Sequence, residues 1–411
     1  MQITLAPEFQ GTPEGEEAEA IVRKCVHCGF CLATCPTYQL LGDELDSPRG
    51  RIYLMKQVLE GQAPTRETQL HLDRCLTCLN CETTCPSGVL YGNLVDIGRQ
   101  IVERKVARPA GQARERAVLR TGLSSPLFGP AMRVGQAVRG LLPEKLKAKV
   151  PERRGPGAWP RRTHARKVLL LEGCVQPSMI PNINAATARV LDAAGIECVL
   201  PRGQGCCGAI KYHLADGEGG LAQMRANIDA WWPYIERGAV EAIVINASGC
   251  GKMVKDYGHL LRHDTHYAEK AARVTELARD LSELLPDIAT ALAGRVRPPA
   301  EVLAWHAPCT LQHGQQLRGG VERWLGELGF QLRPALHEAH LCCGSAGTYS
   351  VLQPELSLQL RERKLANLQG EHAAERPAAI LSANIGCITH LQAGTELPVR
   401  HWIELLDAAM G

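Results

Sequence analysis

The sequence predicts an α+β multidomain chain: a helical, cysteine-rich N-terminal domain followed by a duplicated α/β region with parallel sheets. Three observations predict it. Two tight four-cysteine runs sit among helical patterns before residue 106, strand-like and helix-like segments alternate after residue 166, and four cysteines of that later region recur at nearly the same spacing. At 411 residues the chain exceeds one ordinary core, and 45% apolar with 22% charged residues describes a folded chain of several domains.

Residues 1–106 form the first of these. EGEEAEAIVRK leads into the first run; between the runs, SPRGRIYLMKQVLEG has Ser47 as a cap and Pro48 at the first helical position; YGNLVDIGRQIVERKV carries an apolar stripe away from the second run. Residues 107–166 change to Pro, Gly and Arg and read as a connector with a short helix or two. Between Ile101 and Lys167 stand seventeen Lys or Arg against four Asp or Glu, although the whole chain carries only +3. Such a segment could meet nucleic acid, an acidic partner or anionic lipid, or be a solvated linker. Few aromatics are interleaved with it, so no nucleic-acid partner is expected.

From Lys167 onward, KVLLLEG, IECVLP, AIVINASG, VLAWHAP, GFQLRP and AAILSANIG are strand candidates. NAATARVLDAAG, LAQMRANIDAWWPYIERG, KAARVTELARDLSELL, GGVERWLGELG and PELSLQLRERKLANLQG are helix candidates. This alternation argues parallel sheets. Cys174, Cys206, Cys207 and Cys250 are separated by 32, 1 and 43 positions, and Cys309, Cys342, Cys343 and Cys387 by 33, 1 and 44. Each copy reads Cys, then Cys-Cys-Gly, then Gly-Cys, which divides the region into repeats at 167–298 and 299–411.

The two runs share the pattern C-x2-C-x2-C-x3-C-P: Cys25, Cys28, Cys31, Cys35, Pro36, and Cys75, Cys78, Cys81, Cys85, Pro86. Spacing of three lets three successive thiolates reach three irons of a cube, while the fourth, backed by proline, turns to a different cube. The helical domain is therefore expected to hold two [4Fe-4S] clusters, one on Cys25, Cys28, Cys31 and Cys85, the other on Cys75, Cys78, Cys81 and Cys35. Structural zinc would leave the third cysteine and the Pro-backed fourth of each run unexplained. The total of seventeen cysteines is odd, and MQITLAPEFQGTPEGEEAEA lacks the basic and apolar regions of a signal peptide, so metal is favoured over disulfides. Pro36 and Pro86 are expected to end any helix there. Gly29 and Gly88 would allow close backbone approach to a cluster, and Arg23, Lys24 and Arg74 could offset its charge.

In the repeats, Cys174, Cys250, Cys309 and Cys387 follow strand candidates, at the sheet edge where open α/β folds bind ligands. Gly208 and Gly344 would permit a tight bend behind the vicinal pairs. These eight cysteines are candidates for an additional metal site or a reactive thiol pair; packing as small hydrophobes competes, and Cys198 is more simply a core residue. His306, His313, His337 and His340 stand near these cysteines, but each alone reads as a hydrogen-bonded loop histidine. No G-x-G-x-x-G after a strand, P-loop lysine or G-x-S-x-G appears, so no catalytic residue is expected on this chain. One-electron carriers need a two-electron donor elsewhere, which flavin ordinarily provides.

The N-terminal region, with its 39-residue spacer between Cys35 and Cys75, resembles the helical two-cluster ferredoxin domains of flavin dehydrogenases. The segments LEGCVQP, GCCGA, NASGCG, WHAPCTLQHGQ, HLCCGSAGTYS and ANIGCITHLQ resemble the Cys-Cys-Gly domain of heterodisulfide reductase and related subunits. The fullest pattern of that domain ends in C-x2-C, where this chain has Ala247 and Asn384 at the first position. Across its length the chain resembles the iron–sulfur subunits of bacterial glycolate oxidase (glycolate dehydrogenase). The resemblance implies FAD-binding partner subunits that oxidise glycolate to glyoxylate, with FAD on the partners, and a quinone-type acceptor for the electrons. The missing signal-peptide pattern and the lack of an apolar stretch near the roughly 20 residues that span a bilayer lead to the expectation of a cytoplasmic protein, and the resemblance implies a peripheral position on the inner face of the cell membrane. The equivalent subunit of a D-lactate or anaerobic glycerol-3-phosphate dehydrogenase, or a thiol reductase like heterodisulfide reductase, are the alternatives.

Overall fold

The computed structural model describes residues 1–147, 149–370 and 376–411. The chain begins with a helical domain whose elements start where local chemistry dictates. Helix Pro13–Lys24 has Pro13 in its first turn, the Thr12 hydroxyl accepting from the Gly15 N–H at 3.1 Å, acids in the first turn and Arg23 and Lys24 in the last. Helix Pro48–Leu59 is capped by Ser47, which accepts from the Gly50 N–H at 3.0 Å, as the sequence predicts. Helix Arg66–Asp73, not foreseen in the sequence, is opened by a reciprocal cap between Thr65 and Thr68. Helix Tyr91–Lys105 packs against all three, burying Leu94, Val95, Ile101 and Val102 against Met55, Leu59 and Leu72.

The connector holds helices Ala110–Gly122 and Phe128–Ala137. Part of its positive charge is spent internally: Arg108 and Arg116 each lie 2.6 Å from an oxygen of Asp73.

Among the described residues, eight strands follow in two sheets: β1 (Arg166–Leu171), β2 (Ile196–Val199), β3 (Ala242–Ile245), β4 (Ala278–Asp280), β5 (Leu303–Trp305), β6 (Leu332–Pro334), β7 (Ile380–Ser382) and β8 (Val399–His401). Their orders are β2-β1-β3-β4 and β6-β5-β7-β8, with every pairing parallel. The same order twice is the duplication read in the cysteine spacing. Alternate residues feed two cores: Val168, Leu170 and Val244 join one that runs on into the second sheet, while Leu169, Leu171, Ile243 and Ile245 pack under Trp231 and Tyr257. Strands β4 and β8 were not foreseen. KAARVTELARDLSELL is a helix only to Leu277; Ala278–Asp280 then pairs with β3, with Ala278 and Asp280 buried on either side of exposed Arg279, the alternation of a short edge strand.

The helical domain is tied to the first repeat by polar contacts. Glu17 meets Arg262 at 2.5 Å and His259 at 2.9 Å, and Asp96 meets His213 at 3.0 Å. Burial alone would raise the Glu17 carboxyl, but His259 and Arg262 hold it at about 2 instead of the ordinary 4.5. A depressed carboxylate contributes stability above about pH 4.5 that is lost as the pH falls toward 2. Glu17 is half-buried, so the contribution is screened to about 1 kcal/mol or less. Glu17→Gln should therefore lower Tm slightly at pH 7, and the gap from the parent should narrow as the melting buffer is taken from pH 5 to pH 3. A gap that stays constant with pH would contradict this assignment.

Candidate metal centres

The two cysteine runs fold alike. Cys25 and Cys75 each follow the end of a helix, and the residue before the second cysteine is left-handed in both, His27 at φ 58° and Thr77 at φ 51°. The residue after it is left-handed too: Gly29 at φ 85° in the first run, but Leu79 at φ 60° in the second, a rare conformation for a bulky side chain. Both runs therefore hold a strained residue before the second cysteine, and the second run adds strain at Leu79 where the first has a glycine. Pro36 corrects the sequence reading. It does not end a helix but begins one, Pro36–Leu41, with Cys35 at the cap, because a missing N–H costs nothing in a first turn.

Cys25, Cys28, Cys31 and Cys85 line one cavity, with Cys81 in its wall. Cys35, Cys75, Cys78 and Cys81 lie within electrostatic reach of one another inside the protein. Cys85 thus shares a cavity with the first three cysteines of the first run, and Cys35 acts on the thiols of Cys78 and Cys81 as well as on Cys31 of its own run. Burial raises the thiols of Cys78 and Cys81 well above their ordinary value and that of Cys31 to about 11. Burial acts on Cys75 in the same sense. There Arg51 and Arg99, with the Tyr91 hydroxyl at 3.5 Å and the Thr77 N–H at 3.4 Å, overcome it and lower the thiol.

The cations at this site differ from those named in the sequence. Arg23 pairs with Glu19 at the surface, and Arg74 pairs with Asp46. Arg51, only 1% exposed, donates to the His71 carbonyl (2.7 Å), the Thr37 hydroxyl (3.1 Å) and Asp46 (3.1 Å). Arg99 donates to the carbonyls of Leu72 and Cys75 and to Thr77, and Arg49 to the carbonyl of His27. A signal for Arg51 was present: it stands on the stripe continued by Met55, Val58 and Leu59, where a charge is out of place unless paired.

The repeat cysteines also converge. Cys174, Cys206, Cys207 and Cys250 form a chain of thiol contacts beyond β1 and β3; the neighbouring thiols of Cys174 and Cys207, with the N–H groups of Gly208 and Ile210, lower the Cys206 thiol. In the second repeat Cys309 and Cys342 are 3.9 Å apart, and Cys342, Cys343 and Cys387 continue the chain. Gly208 and Gly344 are left-handed, φ 93° and 88°, and a Cβ on either would lie 2.8 Å and 2.5 Å from the carbonyl oxygens of Gly220 and Ser357. No other residue fits there.

Cys309 and Cys342 share an apolar cluster with Leu76, Cys78 and Tyr349, so the second repeat's thiols abut the second run. Around that contact, His313 lies 3.0 Å from the Thr83 hydroxyl and 2.8 Å from the His340 carbonyl, making it a hydrogen-bonded histidine of the domain boundary. His337 is exposed. His306 is different: it is 2% exposed, its Nε2 has no hydrogen-bond partner, and it groups with Cys343 and Cys387.

Residues 21–89 match the family described as a 4Fe-4S dicluster domain, and residues 168–255 and 303–392 each match a cysteine-rich domain. The chain is 54% identical over 415 residues, covering all of it and 99% of the relative, to the glycolate oxidase iron–sulfur subunit of Escherichia coli. It is 31% identical over 92% of its length, and 90% of the relative's, to a probable glycolate oxidase iron–sulfur subunit of Bacillus subtilis. Over 59% of its length it is 29% identical to lactate utilization protein A of Geobacillus thermodenitrificans, 98% of which is covered. With a dicluster domain, two cysteine-rich repeats and more than half its residues shared end to end, this chain belongs to the family of glycolate oxidase iron–sulfur subunits.

Proposed function

We propose that this chain is the electron relay of a glycolate dehydrogenase complex. Cys25, Cys28, Cys31 and Cys85 hold one [4Fe-4S] cluster and Cys75, Cys78, Cys81 and Cys35 the other. What supports the reading is that Cys85 shares one cavity with Cys25, Cys28 and Cys31, and that Cys35 acts on the buried thiols of Cys78 and Cys81. The donors suit the group: soft thiolates, buried, with backbone and hydroxyl hydrogens directed at sulfur and guanidinium groups beside it. Bound clusters supply one-electron storage.

The chain's own residues decide access. Cys28 is exposed and rimmed by exposed Val26 and Phe30, whereas Cys78 is buried against Cys309. We place the FAD-bearing partner, which oxidises glycolate to glyoxylate, at the Val26/Phe30 rim. The onward acceptor is of quinone type. No helix among the described residues is long and apolar enough to cross a membrane, but Val118, Leu127, Val134, Val138 and Leu141 are exposed on the basic connector, a combination suited to a peripheral position on an anionic surface. The eight repeat cysteines form an additional candidate metal site. Their vicinal pairs are buried, which disfavours a thiol reductase working on an external substrate.

The similarity to lactate utilization protein A keeps D-lactate as a second substrate class. The test is anaerobic purification with the partner subunits and an assay against glycolate, D-lactate and glycerol 3-phosphate. Glycolate should be oxidised at least about tenfold more efficiently than the others; a preference for D-lactate overturns the glycolate assignment. Co-sedimentation with vesicles containing anionic lipid, absent with neutral ones, tests the surface reading.

A further inference from the structure

A second cavity lies far along the chain from the ferredoxin-type thiols. We infer that it binds a nucleoside monophosphate, with the base against Trp159 and the phosphate between Arg162 and Arg295. The cavity measures about 370 Å³ and forms where the connector crosses helices Asn182–Ala193 and Leu285–Leu292 and meets Met410, just past the last helix. Arg162 stands four positions before β1 and Asp192 four before β2, so the cavity sits at the amino ends of these strands. The repeat cysteines gather beyond the carboxyl ends, and this site is separate from them.

Its volume falls at the lower end of the range for small-ligand sites, about 300–1,000 Å³. The wall is built before any ligand arrives. Arg189 is held by Asp407 at 2.7 and 2.9 Å, by the carbonyls of Pro156 (2.8 Å) and Ala158 (2.9 Å) and by Asn182 (2.8 Å). Gly157 is left-handed at φ 71°, and a Cβ on it would lie 3.0 Å from Arg189 Nη1, so the turn over this guanidinium favours glycine. The clamp fixes the backbone directly before Trp159, which packs against the core shared by the two sheets.

The charged groups at the cavity do not cancel. Arg189 is saturated by Asp407 and its other partners. Arg162 donates to Asp192 at 2.9 Å, and the same carboxylate meets His164 at 2.8 Å. Arg295 donates only to the carbonyls of Ala193 (3.1 Å) and Ala291 (3.5 Å), and it meets no carboxylate among the described residues. The indole N–H of Trp159 also finds no acceptor among them. One guanidinium charge and one indole donor are therefore left for a ligand, beside the apolar side chains of Leu292, Met410 and Ala193.

These groups select the chemistry. Guanidinium groups reach the cavity from two walls, Arg162 on the connector and Arg295 beyond the end of helix Leu285–Leu292. Several charged oxygens on one centre, as in phosphate, meet two such groups better than a single carboxylate does. The indole in the same wall suits the flat ring of a base. A ligand held there touches the connector, the first repeat and the end of the second at once, so its binding should raise Tm.

The test is equilibrium dialysis of the full chain, purified anaerobically, against AMP, GMP, CMP and UMP, with the parent nucleosides and inorganic phosphate as fragments. At least one monophosphate should bind saturably, about tenfold or more tighter than its nucleoside or phosphate alone. Arg295→Gln and Trp159→Ala should each weaken it by about tenfold or more, with iron and sulfide content unchanged. A photoreactive analogue of that nucleotide should label the peptide carrying Trp159 in the parent chain. Arg295 is exposed, so its substitution leaves the fold intact; should Trp159→Ala fail to fold, Arg295→Gln and the labelled peptide decide. No binding by any of the four, phosphate binding as tightly as the nucleotide, an unchanged Kd in Arg295→Gln, or a label confined to other peptides overturns the inference.

Discussion

Replacing Cys35 by serine should remove the cluster of the other run and spare that of its own. Cys35 is buried beside Cys75, Cys78 and Cys81, with its Sγ 3.3 Å from the Thr37 hydroxyl, while Cys25, Cys28 and Cys31 open onto a cavity completed by Cys85. The Cys35→Ser protein should hold about half the sulfide of the parent and show one paramagnetic centre on reduction, without the magnetic interaction of a neighbouring pair. Cys85→Ser should give the complementary result, losing the solvent-facing centre beside Cys28. In each variant transfer from the flavin partner to acceptor should fall by more than about a hundredfold, roughly 3 kcal/mol or more in barrier terms, because the path is interrupted. If Cys35→Ser instead lost the centre of Cys25, Cys28 and Cys31, the crossed grouping would be wrong.

The second large effect is expected at Arg51. Its guanidinium joins three segments: its own helix, the His71 carbonyl and the Thr37/Asp46 pair. Asp46 is fully buried, and Arg74 is its other guanidinium partner, at 2.9 Å. Arg51→Met fills similar volume but leaves Asp46 short of positive charge in the core, a loss of about 3–5 kcal/mol. It also withdraws a cation from beside Cys75 and Cys35, so the second-run centre should become harder to reduce. Thermal melting and a redox titration monitored by paramagnetic resonance check the two parts separately. An Arg51→Met protein of parental Tm would mean that the Asp46 network contributes little; an unchanged or raised potential would mean that the cation does not act on the cluster.

How much of this was legible in the sequence depends on the range of the interaction. The caps at Ser47 and Pro48, the six strand candidates and the duplication are set by residues within a few positions, or by a repeat of spacing that holds to within one residue, and each has its counterpart in the structure. Strands β4 and β8 escaped because ARD and VRH each carry an exposed arginine at the centre and no apolar run, and their pairing with β3 and β7 is settled across the sheet. Pro36 was misread because proline closes one helix and opens another with the same chemistry. The runs announced their cysteines but not their cations: Arg51 and Arg99 reach the thiols through tertiary packing, whereas Arg23 and Arg74, the sequence neighbours, turn to Glu19 and Asp46. His306 was passed over for the same reason, since nothing beside it in the chain distinguishes it from His313, and only the approach of β7 brings Cys387 to it.

The most direct test of the account is a combined count of acid-labile sulfide and low-temperature paramagnetic resonance on the anaerobically prepared complex, before and after reduction. Two cubes on crossed thiols require about eight sulfides per chain and, on full reduction, a spectrum broadened by interaction between two neighbouring centres. About four sulfides with a single isolated signal, or no sulfide and no signal, would contradict it.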